Sequence, residues 1–277
     1  MTDTLKFLDY DERPAFPPRA TAYHECAITL GASAKGVKHA YGQHRLHRLL
    51  VHSAAEPTGE ILLALHGGRW SHGYKEHMSL MAPPLNRRGI TLVSASYRLL
   101  PADPYPSGLE DCAAALRWIE DHLDLFGGKA DALFIGGHSA GGHYAALVAV
   151  APERAGGSVP RVAGCLPISG IFKINADEIP GQTIFPGGAS DAAYAAASPV
   201  SADLSKSPPF LISWGSDDTP PVPAQSVMMA QALRDAGAEV ETLILENADH
   251  FDAGCRAAEM NGPWIKAAEN FMRRHRS

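Results

Sequence analysis

A serine flanked by glycines is the residue whose setting most clearly indicates chemistry. The run Gly137-His138-Ser139-Ala140-Gly141 follows an apolar stretch, 132–135, and precedes a helix-compatible stretch, 142–150. In a strand-turn-helix position this G-x-S-x-G pattern makes a sharp turn, where larger side chains beside the serine would clash. The turn exposes the serine hydroxyl at a sheet edge and aims the free N–H groups of the next helix toward it. The sequence therefore predicts Ser139 as a nucleophile.

A serine hydroxyl is a poor nucleophile until a base removes its proton, and histidine is the usual base. In proteins with a serine turn of this kind, the acidic residue follows the serine along the chain, and the histidine follows the acidic residue. His250 lies in a loop directly beyond the apolar run 240–245. The other histidine between Ser139 and the closing helix is His143, which lies in the helix after the serine. His250 is therefore the predicted base.

A carboxylate has to orient that histidine. Asp217 and Asp218 both follow the apolar run 210–214, at a predicted strand end where the site should lie. Asp218 is the predicted acid and Asp217 the alternative. A competing interpretation is that one or both cap the helix that starts near Pro223.

Glycines after another apolar run could stabilise an oxyanion. The sequence His66-Gly67-Gly68-Arg69-Trp70 follows the run 61–65, and glycine lets a backbone N–H approach a substrate closely. Losing one such donor can raise a barrier by about 3 kcal/mol. Gly67 and Gly68 are the predicted donors, together with the N–H of Ala140. Which two of Gly67, Gly68 and Arg69 point inward stays open.

Three other side chains near these motifs receive predicted roles. His66 is expected to brace the glycine loop rather than to act as a base. Trp70 is expected to pack beside the pocket and is assigned, with His138, to contacts with the substrate.

Strands and helices alternate along the chain. Apolar runs of strand length are separated by turn residues, at 61–65, 90–95, 132–135, 210–214 and 240–245. Helices are predicted from Ser107 toward Gly127, from Ala224 to Ala236 and from Pro263 to Arg274. The first has a Ser107–Glu110 capping box and an apolar stripe at Leu109, Ala113, Leu116 and Ile119. This alternation predicts an α/β fold with a mostly parallel, doubly wound sheet whose ligand site lies beyond the carboxyl ends of the strands.

The 277 residues, 45% of them apolar, suit a single α/β domain over 1–277. Residues 1–35 are proline-containing with little periodicity and are predicted as an N-terminal arm. Two extended runs within 37–51 flank Tyr41-Gly42 and predict a hairpin. The Gly-, Pro-, Ala- and Ser-rich segment 172–209 is either a small cap over the site, which we favour, or an excursion with short helices.

Charge and hydropathy argue against several partners. The net charge of −6 is spread without blocks, so neither nucleic acid nor an anionic membrane is an expected partner. Residues 1–10 lack a signal-peptide pattern, and no stretch approaches the roughly 20 apolar residues of a membrane span. A cytoplasmic protein is expected, and a homodimer is left open.

The four cysteines are scattered without C-x-x-C spacing and are predicted to be free thiols. Among thirteen histidines, the pairs His44 with His47 and His72 with His77 lack the spacing of a zinc site. No metal and no cofactor are expected.

Three stretches together resemble the hormone-sensitive-lipase-like branch of α/β-hydrolases, in order between about Gly59 and Phe271: 66–70, 96–111 and 137–142. Within that branch, the H-G-G-x-W form, Gly215 to Asp218 and Asp249 to Asp252 are similar to kynurenine formamidase (arylformamidase), as is the N-terminal stretch. The resemblance implies an α/β-hydrolase fold with Ser139, Asp218 and His250 as a catalytic triad. Arg69 stands where formamidases usually carry an aromatic residue, and 96–106 is closer to the carboxylesterase form.

The leading hypothesis is a serine hydrolase that cleaves a small ester or aryl formamide through an acyl-enzyme on Ser139. N-formylkynurenine is the narrower substrate that the formamidase resemblance implies, and a general short-chain carboxylesterase is the alternative. A hypothesis of another functional class is that the protein is a ligand-binding homologue without catalytic activity. It is disfavoured because all three triad positions are filled.

Overall fold

The computed structural model describes residues 18–126, 132–175 and 184–276. At its centre lies one eight-stranded sheet with the order β1-β2-β4-β3-β5-β6-β7-β8. The strands are β1 (Val37–Ala40), β2 (Arg48–His52), β3 (Ile61–Leu65), β4 (Thr91–Ala95), β5 (Leu133–His138), β6 (Gly164–Ile168), β7 (Phe210–Gly215) and β8 (Val240–Leu245). β1 and β2 form the predicted hairpin, and β2 is also antiparallel to β4. The remaining neighbours pair in parallel, so the predicted mostly parallel sheet is confirmed.

Helices cover both faces of this sheet. They are α1 (Pro18–Gly31), α2 (Ala82–Asn86), α3 (Ser107–Asp121), α4 (Ala140–Val150), α5 (Asp191–Ala196), α6 (Val222–Asp235), α7 (His250–Arg256) and α8 (Pro263–His275). α3, α4 and α6 pack into the core on one face, whereas α1, α2, α7 and α8 pack into the core on the other. No helix in the described part of the chain is long and apolar enough to cross a membrane.

The central strand β3 shows why continuous apolar runs predicted the sheet. Leu63 and Leu65 enter one core while Leu62 and Ala64 enter the other, and all four are fully buried. Successive side chains of a strand point to opposite faces, so a strand covered by helices on both sides has no polar face. The carboxyl ends of β3, β5, β7 and β8 consequently share one edge, where the predicted functional residues follow.

The start of α3 differs from the prediction. Its buried stripe of Leu109, Ala113, Leu116 and Ile119 is confirmed, since each is fully buried. The helix, however, begins after Pro106 with no side-chain cap, so the predicted capping box is absent. Glu110 instead pairs with Arg98, 3.2 Å away, and this draws its carboxylate off the helix end. The helix ends at Asp121, and the predicted end at Gly127 lies outside the described residues.

Helices occur in the predicted N-terminal arm and in the segment 172–209, for which a cap and an excursion with short helices were the two predictions. Residues 18–31 of the predicted arm form α1, which packs on the stretch Lys75–Met81 and on α7. The described part of 172–209 contains α5 and single turns at Pro199–Ser201 and Leu204–Lys206. Residues 176–183 of the predicted cap and 1–17 of the arm lie outside the described residues.

A buried ion pair fixes the loop after β4 to α3. Asp111 is 2% exposed, and its carboxylate accepts hydrogen bonds from the Arg98 guanidinium, at 2.7 Å from Nη2, and from the Arg98 backbone N–H, also at 2.7 Å. His47 Nε2 lies 3.0 Å from the same carboxylate. Three separate chain segments therefore meet at one buried charge.

Asp111→Ala is expected to lower the free energy of unfolding by about 3–5 kcal/mol, because it leaves the Arg98 charge without its buried partner. Glu110→Ala is the matched control: it removes a carboxylate from the same arginine, but the Glu110 side chain is 46% exposed, so a loss of only about 0–1 kcal/mol is expected. Urea denaturation measures both. Equal losses for the two variants would contradict this assignment.

The Asp111 contribution also depends on pH. Burial opposes ionisation of Asp111, but hydrogen bonds from His47 and Arg98 outweigh it and hold the pKa of the carboxyl below its usual value. A carboxyl whose pKa is lowered by folding stabilises the protein above its ordinary pKa, and this contribution disappears as the pH falls through the folded-state pKa. The stability gap between wild type and Asp111→Ala should therefore narrow in acid.

Candidate active site

Ser139 occupies the predicted sharp turn between β5 and α4. Its φ of 55° and ψ of −119° are strained for a residue with a side chain. The Ser139 N–H donates to the Ile168 carbonyl at 2.9 Å, and its carbonyl accepts from the N–H of His143 at 2.9 Å. A Cβ on Gly137 or Gly141 would overlap the carbonyl oxygen of Leu65. The turn thus requires glycine on both sides of the serine.

The structure brings together the three residues predicted as nucleophile, base and acid. Ser139 Oγ lies 2.9 Å from His250 Nε2, and His250 Nδ1 lies 2.8 Å from Asp218 Oδ1. A carboxylate accepts, so Nδ1 carries the proton and Nε2 is free to accept from the serine hydroxyl. Asp218 follows β7, and His250 is the first residue of α7, in the loop after β8.

The choice between the two adjacent aspartates is clear in the structure. Asp218 is 7% exposed and faces His250, whereas Asp217 is exposed. Neither caps α6, whose N-terminus follows Pro221 without a side-chain cap. The capping interpretation is therefore wrong, and Asp218 is the carboxylate of the site.

The Asp218 carboxylate is held by several donors besides His250. It accepts from Ser169 Oγ at 2.5 Å, from the Thr219 N–H at 2.8 Å and from the Gly215 N–H at 3.2 Å. Burial opposes its ionisation, but the hydrogen bonds and the charge of His250 outweigh burial and lower the pKa of the carboxyl below its usual value. Asp218 is thus ionised and fixed in orientation at neutral pH.

Ser169 was missed by the sequence analysis. It follows β6 with a φ of 51° and is fully buried, and its hydroxyl has Asp218 as partner. β6 itself was not predicted, so no strand end pointed to this position. A Ser-Gly pair after the apolar stretch ending at Ile168 was the available signal.

The first turn of α7 fixes the backbone of His250. Asp249 caps the helix, accepting from the N–H groups of Phe251 at 2.9 Å and Asp252 at 2.8 Å, and the Asp252 side chain completes a capping box. The His250 carbonyl accepts from Nε2–H of His138 at 2.8 Å. The His250 backbone is therefore fixed by the capped first turn of α7 and by the hydrogen bond from His138.

His138 is a neutral, buried member of the site. Burial and the charge of the neighbouring His250 lower its pKa to about 3. With Nε2–H donated to the His250 carbonyl, Nδ1 is an acceptor, and it has no hydrogen-bond partner within the described ranges. The ring lines the pocket, but its observed contact is to His250, so substrate binding by His138 stays a prediction.

A pocket of about 340 Å³ opens beside Ser139. Its walls include the glycine loop, the start of α7 and, from α1, the residues Arg19, Ala20 and Tyr23. Tyr23 packs on Phe251 and His138, with ring centroids 5.5 and 5.3 Å apart. No residue in the described part of 172–209 lines this pocket, so among described elements α1 takes the place expected of a cap.

Trp70 does not line the pocket, as its predicted contact with a substrate would require. It is 2% exposed, it is absent from the pocket walls, and its indole N–H donates to Nδ1 of His143 at 3.1 Å. His143 in turn donates from Nε2 to the Ala197 carbonyl at 2.7 Å. The indole turns into the core because its single donor is satisfied there, and Trp70 therefore supports the loop from behind.

The glycine loop predicted to supply oxyanion donors lies beside Ser139. Gly67 and Gly68 line the pocket, and a Cβ on Gly67 would come within 3.1 Å of the Ser139 Cβ. Ala140, the third predicted donor, is the first residue of α4 and follows Ser139 directly. His66 braces the loop as predicted: Nδ1–H donates to the Gly67 carbonyl at 2.8 Å, and the ring stacks on Tyr97.

One described cluster has ligand types that could hold a metal ion, namely Glu239, Glu241 and His275. Glu239 immediately precedes β8, so the cluster lies at the edge of the sheet opposite Ser139. Arg274 already neutralises it, with Nη1 2.7 Å from Glu241 and 3.8 Å from Glu239. The cluster is therefore separate from Ser139, His250 and Asp218.

Comparison with known proteins places this geometry in a family. A family model described as alpha/beta hydrolase fold matches residues 62–252, which include Ser139, Asp218 and His250. Esterase LipQ of Mycobacterium tuberculosis (strain ATCC 25618 / H37Rv) is 32% identical over 215 residues, covering 69% of this chain and 49% of LipQ. Carboxylesterase NlhH of the same strain is 35% identical over 98 residues, covering 35% of this chain and 31% of NlhH. Each match thus spans less than half of the relative.

Solved structures share the fold over nearly the whole chain. A Pyrobaculum calidifontis esterase superposes with a TM-score of 0.76 at 20% identity and covers 95% of both chains. An esterase/lipase from an uncultured bacterium gives a TM-score of 0.73 at 24% identity, over 96% of this chain and 94% of that one. The sheet order, the serine turn and the family match agree, and the chain belongs to the α/β hydrolase fold family.

Proposed function

We propose that this protein is a carboxylesterase-type serine hydrolase that cleaves small esters through an acyl-enzyme on Ser139. The observation that carries the proposal is the continuous hydrogen-bonded chain from Ser139 through His250 to Asp218, beside an open pocket. The names of LipQ and NlhH, an esterase and a carboxylesterase, support the same reaction class.

Acylation begins at the serine hydroxyl. Nε2 of His250 accepts the Ser139 proton as Oγ attacks the ester carbonyl, and Asp218 stabilises the imidazolium through Nδ1–H. The negative charge that develops on the carbonyl oxygen is stabilised by the N–H groups of Gly67, Gly68 and Ala140. His250 then gives its proton to the departing alcohol, which leaves Ser139 acylated.

Deacylation repeats these steps with water. His250 Nε2 takes a proton from the water that attacks the acyl carbonyl, and the same donors stabilise the second tetrahedral intermediate. His250 returns the proton to Ser139 Oγ as the acid product leaves. The anchored His250 backbone keeps Nε2 within reach of both oxygens throughout the cycle.

The pocket limits the substrate. Its volume of about 340 Å³ is near the lower end for small-molecule sites, and Tyr23, Ile171 and Phe251 supply apolar walls. A short acyl chain and a leaving group with one ring fit this space. A long acyl chain and an aryl leaving group do not fit this space together, so binding one of them there leaves the other in water without its burial.

Aryl formamide cleavage is the second candidate activity, and N-formylkynurenine is its test substrate. The aromatic rings of Tyr23 and Phe251 in the pocket wall favour an aryl leaving group, and a formyl group is the smallest acyl group. His250 would have to protonate the leaving nitrogen. The similarity of the H-G-G-x-W form, of Gly215 to Asp218 and of Asp249 to Asp252 to the kynurenine formamidases supports this candidate.

Covalent labelling tests the reaction class. A fluorophosphonate probe, followed by tryptic mapping, is expected to modify Ser139 in the wild type and to leave Ser139→Ala unmodified. An exposed serine on a single turn, Ser201, provides the control, since Ser201→Ala should label like the wild type. An unlabelled wild-type protein that is folded would support the non-catalytic ligand-binding alternative instead.

A substrate series tests the pocket. The kcat/KM for p-nitrophenyl acetate and butyrate is expected to exceed that for the decanoate by about tenfold or more, since a tenfold ratio needs only about 1.4 kcal/mol. N-formylkynurenine is measured beside them. Short esters that react while N-formylkynurenine does not would remove the formamidase candidate, and decanoate turnover equal to that of acetate would contradict the inferred size limit.

A further inference from the structure

Two of the four cysteines meet across helices that are far apart in sequence. Cys26 on α1 and Cys255 on α7 are separated by 229 positions, yet their Sγ atoms lie 2.7 Å apart. A disulfide bond is about 2.05 Å long, so little movement separates the two thiols from bonding. Both side chains are half-buried, whereas Cys112 and Cys165 are buried.

The two helices joined by this contact build the active-site pocket. α7 begins with His250 itself, and α1 supplies Arg19 and Tyr23 to the pocket wall. At the N-terminal end of α1, Arg19 forms ion pairs of 2.6 Å with Asp249 and Asp252. Further along α1, Cys26 faces Cys255. The position of this wall therefore depends on the contact between α1 and α7 together with the packing of α1 on Lys75–Met81.

The ion pairs alone form a weak attachment. The side chains of Arg19, Asp249 and Asp252 are 48%, 37% and 46% exposed. Exposed ion pairs contribute little to stability and are screened by salt. A covalent link at the cysteine end would hold α1 on α7 independently of salt.

We propose that Cys26 and Cys255 form a dithiol site that low-molecular-weight disulfides oxidise to an intramolecular disulfide, fixing α1 against α7. The Cys26 thiolate attacks one sulfur of the oxidant RS–SR, which gives a mixed disulfide and releases the first thiol. The Cys255 thiolate then attacks the Cys26 sulfur and releases the second thiol. Two protein thiols lose two electrons and two protons, and the oxidant is reduced to two RSH.

The order of attack follows from the surroundings of the two sulfurs. Burial and the hydrogen bond with Cys26 raise the pKa of the Cys255 thiol far above its usual value, so Cys255 is a poor first nucleophile. Once Cys26 carries the mixed disulfide, Cys255 is already beside the sulfur it attacks. This proximity accelerates the second step and compensates for the low thiolate fraction of Cys255. Cys112 and Cys165, both fully buried, have raised thiol pKa values and stay reduced.

Peptide mapping of the oxidised full chain tests the proposal. The purified protein is incubated with oxidised glutathione, its remaining thiols are alkylated in denaturant, and it is digested with trypsin without reductant. Cleavage after Arg19, Lys35, Arg234 and Arg256 places Cys26 and Cys255 in separate peptides, 20–35 and 235–256, each with one cysteine. The expected product is these two peptides joined, with Cys112 and Cys165 alkylated. Glutathione retained on Cys26, a crosslink between two chains, or no loss of thiols would each overturn the proposal.

Variants separate the crosslink from general oxidation. Cys255→Ser is expected to stop at the mixed disulfide on Cys26, and Cys112→Ser should still form the crosslink. Oxidation should raise the thermal midpoint of the wild type by about 5 °C or more, because the link closes a loop of most of the chain, but should leave Cys255→Ser unshifted. An equal shift in both proteins would contradict the link. These readouts need no substrate, so they stand apart from the proposed esterase activity.

Discussion

Ser139→Ala is expected to lower kcat/KM for p-nitrophenyl acetate by about four to six orders of magnitude, as loss of a triad nucleophile does elsewhere. Without Oγ no acyl-enzyme forms, and what remains is the weak catalysis supplied by substrate binding and by the oxyanion donors. The release of p-nitrophenolate at saturating and subsaturating substrate concentrations measures kcat and kcat/KM.

The fold should survive this change, because alanine at position 139 keeps the same backbone and removes one partly exposed oxygen. A thermal midpoint within a few degrees of wild type is the necessary control. Ser201→Ala, on the surface away from the pocket, should retain full turnover. Substantial hydrolysis by folded Ser139→Ala would remove Ser139 from the mechanism.

Asp218→Asn is expected to lower kcat by about 10³- to 10⁴-fold. The amide keeps the shape of the carboxylate but has one acceptor oxygen, which the Ser169 hydroxyl and the Gly215 N–H hold at the Oδ2 position. The NH₂ group then faces His250 and cannot accept its Nδ1–H, so the imidazole is driven to the tautomer with the proton on Nε2. That nitrogen then faces Ser139 Oγ and cannot take its proton. Steady-state kinetics on p-nitrophenyl acetate report the loss.

The neighbouring residue supplies a matched control for this variant. Asp217→Asn makes the same chemical change one position earlier, on an exposed side chain, and should leave kcat within about twofold. A larger loss in Asp217→Asn than in Asp218→Asn would reverse the assignment of the acid. If kcat falls in neither variant, neither carboxylate takes part in catalysis.

The meeting of Ser139, Asp218 and His250 was predictable because each follows an apolar run that had to become a parallel strand. Strands buried on both faces have continuous apolar sequences, and their carboxyl ends gather at one edge of the sheet. The order of the motifs then determined the roles. Choosing Asp218 over Asp217 was a matter of which side of a turn faces inward, and only the structure shows the exposed position of Asp217.

Residues that depend on the missed strand β6 could not be predicted. Its five residues include Gly164 and Pro167, which are typical of strand edges or turns rather than of a central strand. In the sheet the strand is central, between β5 and β7. Without that strand, the Ser-Gly pair after Ile168 was too weak a signal to predict that Ser169 would hold the Asp218 carboxylate.

Contacts between residues far apart in the sequence could not be predicted either. Residues 18–31 read as an irregular arm because only Tyr23, Ala27 and Gly31 of α1 are buried, too few for a clear apolar stripe. Its approach to α7, and with it the meeting of Cys26 and Cys255, arises from packing. The contact that turns Trp70 away from the pocket, from its indole N–H to His143, likewise joins residues 73 positions apart.

The glycines at 137 and 141 limit how this protein can be redesigned. Any side chain there would collide with the backbone of Leu65, so libraries that randomise the serine turn would consist largely of misfolded protein. New selectivity has to come from positions that face the pocket without supporting the turn. Ile171, Thr219 and Phe251 meet that description, and together they offer a compact set for saturation mutagenesis.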